Sequence, residues 1–231
     1  MIGTLVNAGA VLIGGGIGLL FRGRIPKKIS EGIVQALGLC VCVIGVSGAM
    51  KGDFLLLVTS LALGTLTGIL LRIDDGLNRL GGFMQKKLSR PDGEGTSTFA
   101  EGFVAASLLF CVGAMSVIGS IESGLGQGRG IIFTKSILDG VSAMVFASTL
   151  GWGVLFSVLV ILVYQGGIEL FAGVLQPVLT EGLITQISAA GSVMILGLGL
   201  NMVSSTKIKA ANMLPGLLFA AGYYLIILSG S

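Results

Sequence analysis

The chain has 231 residues, 53% of them hydrophobic and 11% charged, and a mean hydropathy of +0.99. A soluble domain carries roughly 25% charged residues, so the composition describes an all-α integral membrane protein whose main partner is the lipid bilayer. The absence of histidine removes the commonest general base and metal ligand. No phosphate loop, cofactor motif or nucleophile with an evident base is present, so the chain reads as a non-enzyme without cofactors. The net charge of +3 resides in basic residues between apolar runs and points to no nucleic-acid partner.

Eight apolar segments follow one another at roughly 2–21, 29–50, 54–72, 99–119, 131–150, 153–173, 181–203 and 210–229. About 20 residues span a bilayer as a helix, so the reading is about eight transmembrane helices. The first segment precedes its positive charges, whereas a cleavable signal follows them; it is expected to be retained. Gly14-Gly15-Gly16 and Met213-Leu214-Pro215-Gly216 are expected to interrupt their helices. Gly151-Trp152-Gly153 divides the fifth and sixth segments, the fifth being polar enough to be re-entrant instead. Cys40, Cys42 and Cys111 lie inside apolar runs and read as small packing residues.

Basic residues set the orientation. Arg22, Arg24, Lys27, Lys28, Arg72, Arg79, Lys86, Lys87, Arg90, Lys207 and Lys209 fall on one side of an eight-span chain. Lys51, Arg129 and Lys135 fall on the other. This places both termini outside and the basic loops in the cytoplasm. Within the loop 73–98, Leu77, Leu80, Met84 and Leu88 recur at helical spacing, which reads as a basic amphipathic helix on the inner membrane surface.

A short phrase, acid then glycine, recurs as Glu31-Gly32, Glu101-Gly102, Asp139-Gly140 and Glu181-Gly182. On the eight-span topology the first two begin helices inside and the last two outside. Segments 29–119 and 131–203 therefore form an inverted three-helix repeat, flanked by 2–28 and by 210–229, an architecture of secondary transporters. Acids also suit helix N-termini because they complement the exposed N–H groups and the macrodipole. Glu101 and Glu181, at the starts of their apolar runs, fit that cap reading. Asp139 lies about nine residues inside its helix, or roughly 13 Å, where a carboxylate must face protein or water. Its facing group is expected to be Glu31 or Lys27, and Asp139→Asn is expected to leave folding intact. The remaining candidates for a polar path are Lys135, Asn7, Ser47, Ser116, Asn201 and Asn212. Gly14-x-x-x-Gly18 and Gly64-x-x-x-Gly68 mark faces for close helix contact, within the chain or in a homodimer.

Asn7-Ala8-Gly9, Gly18-Leu19-Leu20-Phe21-Arg22-Gly23, Ile29-Ser30-Glu31-Gly32 and Ser136-Ile137-Leu138-Asp139-Gly140 resemble a bacterial inner-membrane family, the YdfK/YqgA-like group of unknown function. The resemblance covers the full length and implies a multi-pass transport protein without assigned site residues. The expectation is a secondary transporter of a small solute or ion, with the carboxylates along its path. An ion channel or a membrane scaffold or sensor docking through 73–98 is the alternative.

Overall fold

The computed structural model describes residues 1–22, 27–76, 79, 96–204 and 208–229, and among them every regular element is helical. In chain order these are α1 (Ile2–Phe21), α2 (Lys27–Ala49), α3 (Phe54–Leu70), α4 (Thr96–Cys111), α5 (Ala114–Leu125), α6 (Gly130–Leu150), α7 (Gly153–Leu170), α8 (Ala172–Leu175), α9 (Glu181–Val203), a 3-10 turn (Ala210–Met213) and α10 (Pro215–Ser229). α1, α6, α7 and α9 are long and apolar enough to cross a membrane. Two bent pairs raise the candidates to six: Val34–Ala49 with Phe54–Leu70 at 118°, and Phe99–Cys111 with Met115–Leu125 at 58°. The chain is thus a multi-pass membrane protein. Most of the expected amphipathic helix in 73–98 lies outside the described residues.

The expected breaks fell partly elsewhere. α1 runs unbroken through Gly14-Gly15-Gly16, because two of these glycines serve packing. A Cβ on Gly14 would fall against the Gly140 carbonyl, and one on Gly15 against the Leu155 side chain, whereas Gly16 faces open space. α6 is likewise continuous from Gly130 to Leu150. The interruption sits instead in the fourth segment, where Gly113 takes φ 156°, a conformation that excludes ordinary side chains. There Val112 N–H donates to Leu108 O at 2.8 Å and Ser116 N–H to Gly113 O at 3.0 Å, closing α4 and opening α5. The last segment breaks as expected: Leu214 separates the 3-10 turn from α10, whose first residue is Pro215, a position where the missing N–H costs nothing.

The chain divides into two compact units, Met1–Pro26 with Asn78–Val178, and Lys27–Leu77 with Leu179–Ser231. In the first unit α1 lies along α6 in the same direction, Gly3 meeting Ile132 and Gly18 meeting Met144. α1 runs opposite to α7, since Thr4 meets Glu169 and Asn7 meets Gln165. α4 and α5 follow α7 in its own direction: a Cβ on Gly153 would strike Phe99 O, and farther on Ser116 and Ser123 reach Gln165 and Glu169. Phe99 and Phe156 add an aromatic contact with centroids 5.3 Å apart.

In the second unit α2 and α9 pack antiparallel, with Gly38 against Gly199 and Gly48 against Ser192. α3 and α10 do the same, Gly64 meeting the Gly216 backbone and Gly68 that of Asn212. Leu56, Leu57, Ala189, Ala190 and Ala220 form a buried apolar cluster there. Both Gly-x-x-x-Gly faces are therefore used inside the chain. Small residues let backbones approach, and dispersion then replaces the hydrophobic drive that lipid cannot supply.

Candidate functional site

The first unit encloses a line of buried polar side chains drawn from four helices. Its anchor is Asp139 on α6, 7% exposed, paired with Lys135 one turn earlier, 6% exposed. Asn7 of α1, with no exposed surface, donates through Nδ2 to Asp139 Oδ2 at 3.0 Å and to Gln165 Oε1 at 2.9 Å. Gln165, equally buried on α7, donates through Nε2 to Ser116 Oγ at 2.8 Å on α5. The carboxylate is an acceptor only, which fixes the direction of the series: Asn7 must present its amide nitrogen to Asp139. Both Asn7 hydrogens are then spent, and its buried Oδ1 has no partner among the described residues.

A second cluster lies one helical turn along α7. Glu169 is 3% exposed and accepts from Gly3 N–H at 3.2 Å, Thr4 N–H at 3.0 Å, the Thr4 hydroxyl at 2.6 Å and the Ser123 hydroxyl at 2.7 Å. The Met1 amine lies 2.5 Å away. Glu169 thus holds the first turn of α1, whose N–H groups have no intrahelical acceptor. Hydrogen bonds to a charged group contribute about 1.5–3 kcal/mol each. Glu169→Gln, which turns one acceptor into a donor facing donors, should destabilise the protein by about 3 kcal/mol, read as a lower melting temperature in detergent. An unchanged melting temperature would remove this latch role.

The expected candidates separate into those that join the line and those that do not. Asp139, Lys135, Asn7 and Ser116 come together. Lys135, counted from the sequence among the charges on the outer side, is a buried residue of α6. The partners of Asp139 are Lys135 and Asn7; the expected partners Glu31 and Lys27 have side chains outside the described residues. Glu101 lies five residues inside α4, which begins at Thr96, and is half-buried rather than at the helix start. Glu181 is exposed as the first residue of α9, where the side-chain cap is Thr180, accepting from Leu183 N–H at 3.3 Å. Ser47 is exposed.

Asn201 and Asn212 act in the second unit as backbone clamps. Asn201 exchanges two bonds of 2.8 Å with Ile208, tying the reversal after α9. Asn212 Oδ1 accepts from Asp74 N–H at 3.0 Å, and Lys209 Nζ lies 3.3 Å from the Asp74 carboxylate.

Sequence reasoning missed Gln165 and Glu169. Their signal was present: two polar residues four apart share one face of an otherwise apolar helix, in the sixth segment, which has no acid–glycine phrase. Among the described residues no group of three or more Cys, Asp or Glu side chains is placed to hold a metal ion. Cys111 is buried and Cys40 exposed, all three cysteines being free thiols.

Comparison with known proteins places the chain in a family. The chain is 32% identical over 223 residues to "Uncharacterized membrane protein YdfK" of Bacillus subtilis (strain 168), covering 94% of this chain and 93% of the relative. It is 29% identical over 225 residues to "Uncharacterized protein YqgA" of Escherichia coli (strain K12), covering 95% and 94%. No solved structure gives a significant match. The model of the family described as "Protein of unknown function (DUF554)" matches residues 2–225, and the chain belongs to that family.

Proposed function

We propose that the protein is a secondary transporter of a small solute or ion in the bacterial inner membrane. The observation that carries the reading is the line Lys135, Asp139, Asn7, Gln165 and Ser116, buried across four helices of one unit. Ionised and amide groups are expensive to keep inside a membrane protein and mark solute or proton pathways. The break at Gly113 lies three residues from Ser116, so the line ends beside an interrupted helix, the element on which transporters build midplane sites.

The packing directions support eight crossings with an alternating course. Within the first unit, segments one and five run together, and four and six run the other way; in the second, two opposes seven and three opposes eight. Were the fifth segment re-entrant, α7 would run parallel to α1 and opposite to α4, the reverse of the observed pairs. An inverted relation between 29–119 and 131–203 belongs to the same reading. It is supported by a reciprocal exchange: the third helix of each block joins the unit holding the first two of the other.

A screen of small solutes and ions by thermal shift, followed by uptake into proteoliposomes, tests this. A ligand at 100 times its Kd adds about 2.7 kcal/mol of stability. The expected result is a ligand that stabilises the wild type and is taken up, with uptake lost in Gln165→Leu. Folded protein in sealed vesicles that moves no stabilising ligand would overturn transport.

A further inference from the structure

The buried line leaves acceptors, rather than an anion-binding surface, unfilled. Asn7 Oδ1 has no exposed surface and no partner. Asn7 reaches Asp139 through Oδ2, which also takes the Lys135 ammonium, and Asp139 Oδ1 receives no hydrogen bond among the described residues. The Asn7 carboxamide thus lies against the Asp139 carboxylate with both of its hydrogens already committed and its own oxygen unfilled. A buried acceptor left empty costs about 1–3 kcal/mol, and the group that satisfies it must be a donor or a cation.

We propose that Asn7 Oδ1 and Asp139 form a binding site for a small monovalent cation of sodium type, and that this cation competes with the Lys135 ammonium for the carboxylate. The assignment rests on the transport reading and names its coupling ion. Three features select the ion. Its ligands are hard oxygens, which suit alkali and alkaline-earth ions and not soft metals. Only one carboxylate is present, and a divalent ion at such a site keeps an uncompensated charge in a low dielectric. The competing group already there is itself a monovalent cation.

Lys135 supplies the alternative state. It stands five residues after Gly130, about 8 Å from the start of α6, and its four-carbon stem lets the ammonium snorkel toward that end when displaced. The carboxylate is then neutralised in both states, by the tethered ammonium in one and by the incoming ion in the other. Asp139 remains paired throughout, which a buried carboxylate requires.

The experiment melts the purified full-length protein in detergent in sodium, lithium, potassium and choline chloride at equal ionic strength. The wild type should gain a saturable stabilisation from sodium over choline. Lys135→Ala removes the tethered competitor: it should melt lowest in choline, and its half-saturating sodium concentration should fall at least tenfold. Asn7→Leu should lose the sodium response, and Asn7→Ser, which withdraws the oxygen with less change of bulk, should lose it too if the leucine variant does not fold. Identical melting in all four salts for both the wild type and Lys135→Ala would overturn the site, as would an unchanged sodium midpoint in Asn7→Ser. Uptake without any cation response overturns the cation site and leaves transport standing; a cation response without flux of any ligand overturns transport and leaves the site standing.

Discussion

Asp139→Asn should lower the stability of the folded protein by about 3–5 kcal/mol, the range for breaking a buried ion pair by removing one partner. The sequence alone suggested a benign change, because asparagine keeps the shape of aspartate. The structure alters that expectation through Lys135, which is 6% exposed and paired with Asp139. Asparagine leaves the ammonium buried with no counter-charge. The double variant Lys135→Gln with Asp139→Asn removes both charges and should recover most of the loss, since replacing a buried pair is often neutral. Chemical or thermal melts of the two single variants and the double form a mutant cycle. Additive losses, with no recovery in the double variant, would show that the two side chains do not act as a pair.

The second large effect concerns three adjacent glycines with different surroundings. Gly14→Val should destabilise by about 3 kcal/mol, at the upper end of overpacking costs. The added atoms meet the Gly140 carbonyl, which belongs to backbone and cannot turn aside. Gly16, two positions later, has nothing within 4 Å of a new Cβ. Gly16→Ala should therefore be neutral, or stabilise by up to about 1 kcal/mol, because alanine loses less conformational freedom in a helix. Comparing melting temperatures of the two variants checks the parallel packing of α1 on α6. Equal tolerance at both positions would contradict it.

These cases show which parts of the molecule are written locally. Helix bounds were legible because hydropathy reports burial in lipid or protein alike: the seventh segment, 181–203, coincides with α9, and the third, 54–72, with α3 at Phe54–Leu70. Asp139 was legible from its depth behind Gly130. Asn7, Ser116 and Lys135 were visible as polar residues in apolar runs, although nothing local said they would meet. Pairing was not legible, because a glycine face announces close contact without naming the opposite helix. Gly14 and Gly18 find α6, more than 100 residues away in the chain. Gly113 was overlooked because a single glycine in a chain with 39 of them carries little signal, whereas the consecutive glycines of α1 drew attention to a break that close packing abolishes. Gln165 is hard to read for a related reason: an amide carries no charge, and its segment has no acid–glycine phrase.

Transport along the line from Asp139 to Ser116 requires that it be reachable from water during a working cycle, although it is buried in this conformation. Cysteine accessibility tests this directly. In a background with Cys40, Cys42 and Cys111 replaced by alanine, Ser116→Cys would be treated in native membranes with a membrane-impermeant thiosulfonate applied to either side. Leu12→Cys and Val163→Cys, at outward-facing apolar positions 46% and 78% exposed, serve as lipid-facing references. Ser116→Cys should react, and both references should stay unlabelled. An inert Ser116→Cys in a folded, inserted protein, from both sides and across a range of sodium concentrations, would contradict a solute path through this cluster.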